Sequence, residues 1–329
     1  MGRTVSVLVA TINRPEYVRK CIEHLLAQEP RPDQIMVVDA SEDDRTKNVV
    51  AEYPGVEYLE NPGGRGNLPN SRNAGLKYAT GEIISFVDDD AFAHPAWLSN
   101  LLETYDEPNV GAVGGRALDN RPNEESTGVD SIGKLKPNGQ LCGFFAAHPG
   151  KIIEVDHMLG ANMSYRREVL AKLGGFRDDI PTGPSGVCED TDMCLRVRQS
   201  GYRILFNPFA TVDHIAAPQF SGRRFDHRWE YFIRRNQFIM YIRTYGFNGL
   251  VARYSVFSIV STLRDFIRRI YLAFVYFGVN VAGFVMGIFY GFRLLLKQHK
   301  DPVRYNGDAE LIRQHLSTPP LKKDAPESD

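Results

Sequence analysis

The chain of 329 residues is long enough to bury a sizeable core in one large domain or two modest ones. A formal net charge of -1 excludes the basic excess that a general nucleic-acid binder needs, and ordinary apolar and charged fractions of 43% and 24% exclude a disordered chain. The four cysteines, Cys21, Cys142, Cys188 and Cys194, form no CxxC pair and no zinc-ligand spacing, which suits a reducing compartment better than a disulfide framework.

Val5 to Ala10 is a short apolar run rich in β-branched residues and predicts a buried strand. No charged-then-apolar leader precedes it, so the expectation is that the chemistry faces the cytoplasm. Thr11 to Pro15 interrupt the run with turn residues, after which Val18, Cys21, Ile22 and Leu25 recur at helical spacing within 16–28. Pro30 and Pro32 end that helix before a second buried strand over 34–39. This βαβ unit implies a parallel sheet with a right-handed crossover. A helix over 41–51, a strand over 56–59, a glycine-rich loop from Asn61 to Asn67, a helix over 68–79 and a strand over 83–87 follow. The alternation runs to about Ala93 and predicts a doubly wound α/β half.

Residues 95–218 are less regular. They hold a strand near 110–113, a polar loop over 120–136, a strand-like stretch at 151–155, a helix over 189–200 closed by Gly201, and strand-like pieces at 203–206 and 210–212. From about Arg223 the composition shifts to arginines, aromatics and long apolar helices, and the tail from Thr318 reads as disordered. No internal repeat or low-complexity tract is present.

Ligands of doubly wound sheets gather at the carboxyl ends of strands, and Thr11, Asp39, Asn61 and Asp88 all fall there, which points to one shared crevice. Asp88, Asp89 and Asp90 directly follow a buried strand. Adjacent carboxylates repel, and a hard divalent ion bridging to a substrate diphosphate answers that repulsion. Side-chain alternation turns Asp88 and Asp90 to one side and Asp89 to the other. A solvated turn capping the helix near Pro95 would use the same residues. Asp39 reads either as a ligand-facing carboxylate or as a helix N-cap assisted by Ser41. The loop Gly63-Gly64-Arg65-Gly66 either lines a nucleotide or is merely flexible, and it is no Walker loop, since no Gly-Lys-Ser/Thr follows. Glu189, Asp190 and Asp192 open a helix, where the macrodipole alone favours acids. His214 reads as a metal ligand, a diphosphate contact or a structural turn residue, and His157 beside Asp156 is a lesser candidate.

Residues 270–291 carry no charge and are bracketed by Arg264, Arg268 and Arg269 before and by Arg293 and Lys297 after. That length could span a bilayer, and Gly283, Gly287 and Gly291 form the small-residue face used for close helix packing. Tyr271, Tyr276, Asn280 and Tyr290 dilute the hydrophobicity, and basic residues at both ends fit a monotopic helix better. A buried core helix is the third possibility.

The stretch from Val5 to Arg14, the strand end Val38-Asp39-Ala40-Ser41, Asn70-Ser71-Arg72-Asn73-Ala74-Gly75 and Phe86-Val87-Asp88-Asp89-Asp90 resemble the inverting family 2 glycosyltransferases. So do Gly160 to Arg167, Gly174-Gly175-Phe176 and Glu189 to Arg196, which correspond to acceptor-side motifs. The resemblance covers roughly Thr4 to His214, in the right order. It implies a GT-A fold: a Rossmann-like, mixed but mainly parallel sheet flanked by helices. Thr11, Asn13 and Arg14 match the family's first nucleotide-contacting loop, and Asp39 the carboxylate that reads the nucleobase. Asn61, Gly64 and Arg72 would line the nucleotide pocket, and Asp88 and Asp89 would face the donor. Asp90, Asp88 and His214 are the expected ligands of Mg²⁺ or Mn²⁺. Asp190 matches the catalytic base, with Glu189 as its helper or as an acceptor contact. Arg223-Arg224 through Asn236 resemble the segment that closes over the diphosphate, though a membrane-facing basic helix would look the same.

The resulting expectation is a catalytic domain over 1–222, with a nucleotide-binding half (1–93) and an acceptor half (94–222), then membrane-associated helices over 223–300 and a partly disordered tail over 301–329. The expected activity is inverting sugar transfer from a nucleotide-diphosphate donor to a hydroxyl of a glycan or lipid-linked acceptor, on the cytoplasmic leaflet, with no nucleic-acid partner. A nucleotidyltransferase acting on sugar phosphates and a non-catalytic nucleotide-sugar or glycan-binding protein are the alternatives.

Overall fold

A computed structural model describes residues 3–180, 188–215, 227–268, 273–300 and 308–319. The first half alternates as expected: β1 (Val5–Thr11), α1 (Pro15–Leu26), β2 (Gln34–Asp39), α2 (Arg45–Ala51), β3 (Val56–Glu60), α3 (Leu68–Leu76) and β4 (Ile83–Asp88). β1 pairs in parallel with β2 and β4, and β2 with β3. With helices on both faces, β1 and β2 are buried on both sides, which is why they read as apolar runs rather than as alternation. One core cluster includes Val7, Val9 and the α1 face Val18, Cys21, Ile22 and Leu25; the other includes Leu8, Met36, Val38 and Phe86.

Two helix starts differ from the sequence expectation. α2 begins at Arg45, with Asp44 rather than Asp39 at its N-cap, because the Ser41 backbone N–H and hydroxyl both turn back to donate to Asp39. The acidic triplet caps nothing either. It runs into β5 (Ala91–Ala93), and α4 (Trp97–Thr104) starts from Ala96 in left-handed backbone without a side-chain cap.

The second half adds β6 (Val110–Leu118), β7 (Lys134–Leu135), β8 (Leu141–Cys142), β9 (Ile153–Glu154), β10 (Asn162–Arg166), α5 (Arg167–Leu173), α6 (Glu189–Gln199) and β11 (Arg203–His214). β10 lies antiparallel between β4 and β6, so the main sheet runs β3-β2-β1-β4-β10-β6-β11-β5, with β9 on β11. The two strand-like pieces at 203–206 and 210–212 are one strand. Its pairing with β6 shifts register between Asn207 and Thr211, around Pro208, which has no N–H to donate. That bulge lets the end of β11 pair with β5 as well, with His214 opposite Ala91.

Four helices follow: α7 (His227–Tyr245), α8 (Gly249–Arg268), α9 (Ala273–Lys300) and α10 (Ala309–Ser317). The small-residue stripe on α9 seats α7. A Cβ at Gly287 would lie 2.7 Å from Phe238 Cβ and 2.8 Å from the Arg235 carbonyl oxygen, and Gly283 and Gly291 meet Tyr231 and Ile242 in the same way. Of the expected apolar run, 270–272 lie outside the described residues, as do Arg223 and Arg224 and the tail from 320 onward. Within the tail region, α10 packs on α5, with Ile312 and Leu316 in the core.

Gly115 on β6 meets the β11 bulge so closely that a Cβ would collide with the Ala210 carbonyl oxygen. Gly115→Ala is therefore expected to cost about 1–3 kcal/mol, because backbone rather than a yielding side chain must move. Urea unfolding checks this, and an unchanged midpoint would contradict it.

Candidate active site

The chain leaves β4 at Asp88, turns through Asp89 and Asp90, and re-enters the sheet at β5, beside the end of β11. This topology brings His214 to the aspartates. The Ile215 N–H donates to the Asp90 carbonyl oxygen at 3.1 Å, and His214 Nε2 lies 3.3 Å from Asp90 Oδ1. Single ligand atoms of Asp88, Asp90 and His214 all lie within 4.8 Å of one another. Two carboxylates and an imidazole form a donor set suited to a hard or borderline divalent ion.

Asp89 turns the other way. Its oxygens accept from Thr11 Oγ1 at 2.7 Å and Arg14 Nη1 at 2.8 Å, and the same Arg14 nitrogen stands 3.6 Å from Asp90. Burial pushes the Asp89 carboxyl up to about 7, against the pull of Arg14. Only 3% exposed, Asp89 braces Thr11 and Arg14, on the side away from Asp88 and Asp90 where strand alternation puts it.

Asp39 closes β2 one strand over. It accepts from Ser41 and, at 3.1 Å, from the Tyr58 hydroxyl, and Ser41 Oγ accepts the Asn13 N–H at 2.7 Å. Asn13 takes left-handed backbone (φ 55°), which asparagine tolerates, and this knits the β1 end to the β2 end. Asn61 reaches back through its N–H to the Asp39 carbonyl oxygen at 2.7 Å, and its amide donates to Asn70 and Ser71. Gly64 packs against Ser71, whose hydroxyl a Cβ would strike. Its close approach is thus to α3. Thr11, Asn13, Asp39, Asn61 and Gly64 all belong to one edge of the candidate site.

Arg72 on α3 crosses to the other edge. At 3% exposure it donates through Nη1 to Glu189 Oε1 (3.0 Å) and through Nη2 to the Gly160 carbonyl oxygen (3.2 Å) and Asp88 Oδ1 (3.4 Å). Phe86 and Phe176 face its guanidinium at 5.9 and 5.5 Å. A Cβ at Gly160 would sit 2.7 Å from Arg72 Nη2, so a larger residue there would displace the guanidinium. Asp190, at the start of α6, accepts the Gly160 N–H at 2.9 Å through Oδ2 and the Thr191 N–H at 2.6 Å through Oδ1. Burial and then the neighbouring Asp190 charge push Glu189 up to about 8, despite Arg72. The Gly160 backbone therefore joins Asp88 to the acid pair on α6, with Arg72 at its carbonyl oxygen and Asp190 at its N–H.

Other expected residues face elsewhere, though His157 lies close enough to Asp190 to feel its charge. His157 is buried, contacts the Cys142 carbonyl oxygen at 3.2 Å and packs edge-on to Phe145, while Asp156 accepts from the Leu135 N–H. Arg234 donates to Asn280 on α9, and Arg235 stacks over Phe232. Two residues were missed. Asp119, just past β6, lies 3.9 Å from His214 Nδ1, and reading every strand end, not only the first four, would have found it. Arg177 pairs with Asp192 at 2.8 Å, and the sequence around Arg177 holds no periodic signal that points to it.

The Glycosyl transferase family 2 profile matches residues 6–174. The glucosyl-dolichyl phosphate glucuronosyltransferase of Haloferax volcanii is 31% identical over 231 residues, covering 64% of this chain and 68% of that protein. The O-antigen chain rhamnosyltransferase WbaN of Salmonella anatum is 28% identical over 200 residues, covering 57% and 58%. Among solved structures, mannosyltransferase PcManGT from Pyrobaculum calidifontis, in complex with GDP-Man and Mn²⁺, superposes with a TM-score of 0.58 at 18% identity, covering 96% of this chain and 86% of that one. The superposition gives the sheet its type: it is the GT-A arrangement.

Removing Arg72 would leave Glu189 and Asp88 around a buried gap. Arg72→Met is expected to destabilise the fold by about 3 kcal/mol or more, with Arg72→Lys recovering only part, because an ammonium cannot reach both acids. A loss below about 1 kcal/mol in urea unfolding would contradict the bridge.

Proposed function

The chain belongs to glycosyl transferase family 2, and from that premise we propose that it is an inverting, divalent-metal-dependent transferase moving a sugar from a nucleotide-diphosphate donor to a hydroxyl of a lipid-linked glycan. One observation carries the reading: the Asp88–Asp90–His214 cluster and the Glu189–Asp190 pair are joined by one bridging arginine, Arg72. Family membership sets nucleotidyl transfer aside, and the intact pair of acid sites counts against a binding protein without turnover.

Asp88, Asp90 and His214 would hold Mg²⁺ or Mn²⁺. The fit rests on their mutual approach and on the otherwise repulsive placement of two carboxylates beside a buried third. When bound, such an ion neutralises the diphosphate oxygens as the donor's glycosidic bond breaks. Thr11, Asn13 and Arg14 would border the nucleotide, and Asp39 would accept from a donor N–H on the base. Asp190 would take the proton of the acceptor hydroxyl while that oxygen forms its bond to the anomeric carbon, opposite the leaving diphosphate, which inverts the centre. Its grip on the Gly160 and Thr191 N–H groups aims and stabilises the carboxylate. Glu189, carrying its proton near neutral pH, would position Arg72 or the acceptor rather than act as base.

Two features support a lipid-linked acceptor. The relative from Haloferax volcanii is named for a dolichyl-phosphate substrate, and Gly278–Lys297 of α9 is long and apolar enough to cross a membrane. A membrane-associated enzyme is the setting that both features fit.

The reading is tested by incubating the chain and a polyprenyl-phosphate glycan with UDP-, GDP- and dTDP-sugars, with Mn²⁺ or EDTA. The expected product forms only with the ion and has an inverted anomeric centre by NMR; retention, or full activity in EDTA, would refute the proposal. Asp190→Asn should lower kcat by about a thousandfold with donor affinity unchanged, whereas Glu189→Gln, which mimics the protonated acid, should stay within about tenfold. The reverse order would move the base to Glu189.

A further inference from the structure

Val281, Val285, Phe289, Phe292 and Leu296 recur along α9 at intervals of three and four residues, and so form one stripe. On α8, Val256, Ile259 and Val260 continue the apolar surface. All eight side chains are between 43% and 62% exposed, a concentration of solvent-facing aliphatic and aromatic groups that a water-soluble surface avoids. The opposite side of α9 is the glycine stripe that seats α7. α9 therefore has a protein face and an unpartnered apolar face. Arg293 and Lys297 border the exposed stripe, and α9 holds no carboxylate to oppose them.

The chain before and after these helices is fixed to the catalytic domain. α7 is held by the Tyr241 hydroxyl on the Gly139 carbonyl oxygen (2.7 Å) and by Arg243 on Asp179 (2.7 Å). α10 is held by Asp308 on Lys77 (2.9 Å) and by Arg167, which donates to the carbonyl oxygens of His315, Leu316 and Thr318. A single crossing by α9 would put α10 on the far side of the bilayer from the domain on which it docks. Residues 301–307 separate the two helices and, fully extended, reach at most about 28 Å, short of the roughly 40 Å of a bilayer with its headgroups. α8 cannot supply a compensating crossing. Its longest uncharged stretch, 254–263 between Arg253 and Arg264, would rise only about 15 Å, against about 30 Å of hydrocarbon.

We infer that α8 and α9 form an in-plane membrane seat. The stripe Val281-Val285-Phe289-Phe292-Leu296, with Val256, Ile259 and Val260, enters one leaflet, and Arg293 and Lys297 meet anionic headgroups, without α9 crossing the bilayer. The inference rests on the membrane-associated reading above and specifies its geometry. α7, against which the seat is built, packs directly on the acid-bearing α6, so the acceptor side of the crevice is carried next to the lipid surface.

The test uses the full chain and vesicles of phosphatidylcholine with and without phosphatidylglycerol. Flotation with the vesicles is expected, stronger with phosphatidylglycerol, and Val285→Glu with Phe289→Glu should weaken it at least tenfold while circular dichroism stays unchanged. Depth is then read from Val281→Trp and Leu296→Trp by quenching with lipids brominated at different positions. The two sites are about 22 Å apart along the helix. The seat predicts equal, shallow depths; depths that differ by most of that distance would mean a crossing and would overturn the inference while leaving membrane association standing. A chain that does not float, or that stays in solution as a dimer with its stripe covered, would overturn both.

Discussion

Like charges confined together set the terms for the rest of this molecule. Asp88, Asp89, Asp90, Glu189 and Asp190 are gathered at the carboxyl end of one sheet, and all but Asp88 and Asp190 are almost wholly removed from water. Burial first, and then the neighbouring charges, push Asp89 up to about 7 and Glu189 up to about 8. Each carboxyl is answered differently. Asp89 is partly neutralised by burial and braced by Arg14, Asp90 lies between Arg14 and His214, Glu189 leans on Arg72, and Asp190 is cradled by two backbone N–H groups. What is left is a cluster, Asp88 with Asp90 and His214, whose remaining charge suits a divalent ion and the diphosphate that it accompanies.

The topology follows from that need. β10 inserts antiparallel between β4 and β6, which lets β11 run to the same end of the sheet as β4 and deliver His214. The bulge around Pro208 turns the end of β11 onto β5, the strand that the triplet feeds. Arg72 then ties the two halves together through Asp88, Gly160 and Glu189, so the site is stiff across its seam and not merely within each half.

Much of this was legible in the sequence, because the signals concerned are local. Apolar runs ending in Thr11, Asp39 and Asp88 marked the parallel strands and the crevice, and side-chain alternation turned Asp89 away from its neighbours. The glycine stripe of α9 announced a close helix partner. The rest depended on contacts distant in sequence. β5 is three residues long, α10 lies in a polar tail, and nothing near Arg72 says that its partner is more than a hundred residues away. Gly64 and Asn61 show the limit of reading by type: both meet α3, through Ser71 and Asn70, contacts that residue type alone does not announce. Hydropathy and the basic flanks of α9 favoured a monotopic helix, and the docking of α7 and α10 on one domain adds the geometric reason for it to lie flat.

The account stands on the carboxylate–imidazole cluster binding a divalent ion together with a nucleoside diphosphate. Mn²⁺ titration followed by electron paramagnetic resonance, with and without UDP or GDP, tests this most directly. One Mn²⁺ per chain is expected, bound more tightly when the diphosphate is present and lost in Asp90→Asn. Binding that ignores the nucleotide, or that survives in Asp90→Asn, would contradict it.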